Sequence, residues 1–118
     1  MADGKAFNRS KETILANELS MADNFFLRLK GLLFTSNLPT GKGLYIAPCQ
    51  AIHMMGMVYA IDCVFVDKQG TVVGLCKEVK PWALSPVFGK ALGCIELPAG
   101  TIDATHTEVG DSVEIIKV

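Results

Sequence analysis

Charge of one sign is what this sequence most clearly lacks: 11 Lys and Arg stand against 12 Asp and Glu, and no block of either forms. A nucleic-acid-binding domain carries a basic stripe or patch, so nucleic acid is not an expected partner. C-x-x-C pairs are also missing. The four cysteines, Cys49, Cys63, Cys76 and Cys94, lie thirteen or more residues apart, whereas structural zinc sites draw on closer ligand pairs. No metal or other cofactor is expected. The first residues show no apolar run behind a basic start, so no secretory leader is expected. The expected location is cytoplasmic, where thiols stay reduced. Charged residues make up only 19% of the chain and hydrophobic ones 50%, which excludes a disordered chain. With 118 residues and a mean hydropathy of +0.35, the sequence reads as a single soluble domain over residues 1–118. A chain of this length holds a core without disulfides.

From Leu44 to Ile61 there is no Asp, Glu, Lys or Arg. The stretch approaches the length of a membrane span. Pro48 breaks a helix, Gln50 and His53 need polar partners, and Gly56 marks a turn. The expectation is a folded core segment with a bend, not a transmembrane segment.

Most of the chain reads as short strands. Phe7 and the Ile14–Leu15 pair are expected as inward anchors of early strands. Ser20 or Asp23 would then cap an amphipathic helix with Phe25, Phe26, Leu29 and Leu32 on its apolar face, ended at Gly31. Asn37–Gly43 reads as a loop, and Leu44–Ala47 as a strand stopped by Pro48. Ala60–Asp67 alternates, with Ile61, Cys63 and Phe65 on one face and Asp62, Val64 and Val66 on the other. Lys68-Gln69-Gly70 turns the chain into Thr71–Val79, the clearest hairpin in the sequence. Ala91–Leu97 and Ser112–Val118 are further strands, and Thr101–His106 reads as one helical turn. Six to eight strands with one or two short helices predict a mainly β fold, a β-sandwich, a jelly roll or a partly closed barrel.

The densest chemistry lies in Cys49-Gln50-Ala51-Ile52-His53-Met54-Met55-Gly56-Met57, followed by Asp62. Three uses compete. Cys49 as nucleophile, His53 as base and Asp62 as orienting acid would make a small hydrolase or transferase, although no glycine elbow surrounds Cys49. Cys49, His53, Met54, Met55 and Met57 are also ligands that Cu(I) accepts. In the third use, His53 and Asp62 fix the bend and the methionines fill core gaps. Glu96 lies between Ile95 and Leu97, on the solvent face of an alternating strand or inward with a purpose. Trp82 beside Pro81 either closes a pocket or caps the core. His106 is expected to be exposed in a polar loop.

The linear order of motifs adds a resemblance. The elements are Ile52-His53, Gly56-Met57, Ile61-Asp62, Phe65-Val66-Asp67, Gly70, Val72-Val73, Pro81-Trp82, Ile95-Glu96-Leu97-Pro98-Ala99-Gly100 and Gly110-Asp111. With Arg28, Gly31-Leu32-Leu33 and Pro48-Cys49 upstream, this order resembles the family catalogued as domain of unknown function 192, over about residues 22–116. The resemblance implies a compact β domain and bacterial or archaeal origin, here a bacterial, intracellular branch. It implies no reaction. Met54, Met55 and Ala60 depart from the family pattern. The shared polar residues are Arg28, His53, Asp62, Glu96 and Asp111. The function expected is a non-catalytic binding or accessory module, with a groove lined by His53, Met57, Asp62, Trp82 and Glu96. Its ligand would be a small molecule or a peptide or protein partner. His53 and Asp62 are expected within reach of each other or of a common cleft.

Overall fold

The computed structural model describes residues 3–22 and 36–118. Strands β1 (Gly4–Asn8) and β2 (Thr13–Ala22) form an antiparallel hairpin. β2 runs parallel to β3 (Lys42–Ile46), and β3 pairs antiparallel with β6 (Gly93–Pro98). β6 pairs with β4 (Ile61–Val66), and β4 with β5 (Val72–Val79), both antiparallel. β7 (Val113–Lys117) adds to β1, giving one seven-stranded sheet in the order β5-β4-β6-β3-β2-β1-β7. A four-residue helix, α1 (Thr101–Ala104), follows β6.

The sheet curls until its two edge strands meet at one end. Thr71 and Ser112 form a bridge, and the Val72 and Gly110 amides donate to Asp111 and Val72 carbonyls at 2.9 Å each. The Val113 amide reaches the Gly70 carbonyl at 2.8 Å. This closure covers edges that would otherwise present unpaired backbone. The result is a half-closed barrel, so the expectation of a mainly β, partly closed fold holds.

Aliphatic side chains fill the interior, among them Leu19, Val64, Val66, Ile95 and Leu97, with Ile102 of α1 closing one end. The expected phase of β4 is observed: Ile61, Cys63 and Phe65 share one cluster, Val64 and Val66 the other. Neither face meets solvent, because all six residues of β4 are buried. The outer face of β4 and β6 is roofed by two loops, 47–60 and 80–92. Phe88 anchors that roof, its ring centroid 4.6 Å from that of Phe65. It fits because residue 74 is glycine: a Cβ there would lie 2.3 Å from the Phe88 ring.

Two expectations are corrected. Ile14 is 56% exposed and only Leu15 of the pair enters the core, because successive strand side chains point to opposite faces. Ser20 does not cap a helix; it lies within β2, paired with Leu44. The rest of the expected helix, with Arg28 and Gly31, lies outside the described residues. Among the described residues no helix is long and apolar enough to cross a membrane.

Candidate functional site

The two roof loops are laced together by backbone hydrogen bonds. Cys49 N donates to Leu92 O and Phe88 N to Gln50 O, each at 2.8 Å. Ser85 N reaches Ile52 O at 3.0 Å, Met54 N reaches Ala83 O at 2.8 Å, and Trp82 N reaches Met54 O at 2.7 Å. His53 and Leu84 form an antiparallel bridge. The lacing gives residues 52–55 an extended backbone with alternating burial. Ile52 and Met54 point into the core, while His53 and Met55 point out. A turn at Gly56 (φ 84°) then returns Met57 to the core.

This alternation takes apart the residues that the sequence groups. His53 and Met55 face away from Met54 and Met57, so no soft-metal site forms from His53, Met54, Met55 and Met57. Cu(I) binding by this segment is therefore corrected on geometry. Among the described residues no three His, Cys, Asp or Glu side chains are arranged to hold a metal ion.

Asp62 is not the partner of His53. It is 1% exposed and directed to the inner side of β4. Its Oδ1 accepts from the Glu78 amide at 2.8 Å, and its Oδ2 from the Gly100 and Ile102 amides at 3.1 and 2.8 Å. Glu78 has positive φ (48°) at an irregularity in the β4–β5 register, and Gly100 and Ile102 open α1. Asp62 thus supplies acceptors to orphan amides of a bulge and of a helix start. The expected closeness of His53 and Asp62, and a groove holding both, are corrected on this geometry. Asp111 is similarly structural. It accepts from Asn8 Nδ2 at 3.0 Å, from Lys11 Nζ at 2.9 Å and from the Glu108 amide at 2.9 Å. Burial pushes its carboxyl up, but the hydrogen bonds from Asn8 and Lys11 outweigh burial and hold it below the ordinary range.

Trp82 does not cap the core. It is 66% exposed and its backbone is left-handed (φ 69°). Beside it on the laced loops, Met55, Val58, Leu84 and Val87 are 52%, 71%, 73% and 71% exposed. His53 and Trp82 are therefore brought to one outer surface, with Met57, Asp62 and Glu96 beneath it or elsewhere.

Beneath the loops lies a cluster that the sequence did not announce. Cys76 and Cys63 are direct cross-strand partners on β5 and β4, and Cys63 is opposite Glu96 on β6. One step along, Cys94 is opposite Phe65 and Ile46. Cys49, following the bend at Pro48, packs against the cluster that contains Cys94. All four thiols are free. The Cys49 thiol donates to the Ala51 carbonyl at 3.2 Å, and Cys94 acts electrostatically on both Cys49 and Cys63. The Cys94 contact holds the half-buried Cys49 thiol below its ordinary value. Burial, followed by the contacts to Cys49 and Cys63, pushes Cys94 well up. Cys49 therefore has thiol and carbonyl partners rather than the His53 imidazole expected of a nucleophile–base pair.

Glu96 is on this outer face, not on a solvent face: it is 7% exposed. Burial, then the charge of Cys49, raises its carboxyl from 4.5 to about 8. No hydrogen bond among the described residues engages that carboxylate. The signal in the sequence was the spacing Cys94-x-Glu96, which places both side chains on one face of a strand.

Known relatives are similar to this chain over most of its length. The UPF0127 protein of Thermococcus sibiricus is 34% identical over 112 residues, 91% of this chain and 71% of that protein. The UPF0127 protein of Pyrococcus abyssi is 31% identical over 118 residues, 96% of this chain and 98% of that protein. Both sources are archaeal, so these relatives give no support to a bacterial origin. Two solved bacterial structures share the fold. A protein of unknown function from Novosphingobium aromaticivorans superposes with a TM-score of 0.80 at 21% identity, covering 95% of this chain and 83% of that one. A Sinorhizobium meliloti protein gives 0.82 at 17% identity, covering 98% and 96%. At these identities the likeness shows the fold alone. The DUF192 family, described as Uncharacterized ACR, matches residues 6–115, and the chain belongs to that family.

Proposed function

We propose that the chain is a non-catalytic binding module whose contact surface is the outside of the laced loops. The observation that carries this is the run of exposed apolar side chains, Met55, Val58, Trp82, Leu84 and Val87, around His53. Soluble domains rarely leave such groups together unless the surface meets a partner. The charge pattern selects the partner. None of the 12 acidic residues lies within 44–61 or 79–95, and the only lysines there are Lys80 and Lys90, both exposed. An apolar peptide segment with acidic flanks matches an apolar surface with a basic rim. Trp82 supplies an aromatic anchor of the type that dominates binding energies.

Trp82 is the one tryptophan of the chain, so its emission reports occupancy directly. A short amphipathic peptide of Leu, Phe and Glu should shift Trp82 emission to the blue, and its Lys-for-Glu counterpart should not. Leu84→Asp should abolish the shift while leaving the melting curve in place, since Leu84 is 73% exposed. Equal response to both peptides, or none to either, would sink the assignment of partner and surface.

A further inference from the structure

The thiol cluster is separate from that surface and has chemistry of its own. We propose that Cys49 and Cys94 are an oxidisable dithiol, in which Cys49 is attacked first by a hydroperoxide and Cys94 resolves it to an intramolecular disulfide.

The placement carries the argument. Cys49 is half-buried and packs against the cluster that contains the fully buried Cys94. Its backbone is tied at 2.8 Å to Leu92, two residues before Cys94, so the two thiols are held together by the main chain as well. Accessibility and resolving partner thus meet at one sulfur. The other three thiols lack that combination. Cys63 and Cys94 are 0% exposed. Cys76 is half-buried, but burial, then Cys63, pushes its thiol up. The thiolate is the nucleophile, so the sulfur whose ionised form is stabilised reacts first. The neighbouring Cys94 thiol, then the Ala51 backbone, favour the ionised form of Cys49.

The steps balance. The Cys49 thiolate attacks one oxygen of hydrogen peroxide; the S–O bond forms, the O–O bond breaks, and hydroxide leaves and takes up the proton that Cys49 released. Cys49 is now a sulfenic acid. The Cys94 sulfur attacks it, the S–S bond forms, the S–O bond breaks, and the departing hydroxide carries away the Cys94 proton as water. Two thiols are oxidised by two electrons and one peroxide is reduced to two waters. No base other than the leaving hydroxide is required, which suits a pocket where Glu96 holds its own proton near neutrality.

The test uses the full chain in its folded state, exposed to hydrogen peroxide and then alkylated. Cyanogen bromide cleavage after Met54, Met55 and Met57 separates Cys49 from Cys63, and trypsin separates Cys76 from Cys94. The expected product links Cys49 to Cys94, leaves Cys63 and Cys76 alkylated, and is reversed by dithiothreitol. Before oxidation, Cys49 should alkylate at least about tenfold faster than Cys76 at neutral pH. Cys94→Ala should trap Cys49 as a sulfenic acid that dimedone captures. Cys49→Ser, at a half-buried position, should abolish all disulfide formation by Cys94 and serves the test even if Cys94→Ala does not fold. A Cys63–Cys76 bridge, disulfides only between chains, or a Cys49 no more reactive than glutathione would each overturn the proposal.

Discussion

The two faces of β4 and β6 are equally buried but made of different chemistry. The inner face presents Val64, Val66, Ile95 and Leu97 to the barrel interior. The outer face presents Cys63, Phe65, Cys94 and Glu96 to loops rather than to strands. Each face also holds one carboxylate, and the two differ most. Asp62 on the inner side meets three backbone amides. Glu96 on the outer side engages no hydrogen bond among the described residues, and its carboxyl is raised to about 8. Burial alone therefore does not say what an acid does. Three amide donors make Asp62 a structural strut, whereas at Glu96 burial dominates and favours the protonated form.

The largest expected effect sharpens that contrast through pH. A carboxyl whose folded-state value is raised stabilises the fold at low pH, where both states are protonated without penalty. That stability is lost as pH rises from 4.5 toward about 8, because only the folded state still holds the proton. The loss is bounded at about 5 kcal/mol. Glu96→Gln keeps the shape and removes the ionisation. In urea unfolding, the variant should gain on the wild type steadily between pH 5 and 8, and the two should converge below pH 4.5. A difference that stays flat across that range would remove the distinction between the two acids.

Truncation compares the faces directly. Leu97 is 0% exposed in the interlocked interior, and Leu97→Ala should cost about 3 kcal/mol, transfer plus cavity. Cys63→Ala, equally buried on the outer face, removes one sulfur beneath loops that can settle, and should cost about 1 kcal/mol. Urea midpoints with unchanged slopes would measure both. Equal losses would mean that the roof is as rigid as the barrel.

Legibility in the sequence follows the same division. The β4–β5 hairpin, its turn and the phase of β4 were readable because alternation and a Lys-Gln-Gly turn are local signals. Alternation left Glu96 open between a solvent face and an inward one and misplaced Ile14, because it gives a phase but not what covers each face; the roof over the outer face of β4 and β6 comes from two loops joined by the lacing. His53 and Asp62 were grouped by proximity in sequence, whereas the bridge to Leu84 and the bulge at Glu78 send them to opposite sides of the sheet. The thiol cluster was hidden because its members come from three strands and a bend, and register is not a property of any one segment.

The smallest expected effect concerns the hairpin tip, where turn and closure lie two residues apart. Lys68 and Gln69 are exposed, while Asp67 Oδ1 accepts from the Gln69 and Thr71 amides at 2.9 Å each. Two glycines inserted between Lys68 and Gln69 lengthen a surface loop and require only that this turn re-form. The cost should be about 1 kcal/mol or less. The next position is different. The Gly70 carbonyl accepts from Val113, its φ is 84°, and a Cβ there would lie 2.4 Å from the Val113 carbonyl oxygen. The same insertion after Gly70 should cost roughly 2 kcal/mol, because it shifts the backbone hydrogen bonds that join β5 to β7. Thermal melts of the two insertions, made with identical residues, measure the closure against the turn. If both were equally mild, the meeting of the two edge strands would contribute nothing to the stability of the barrel.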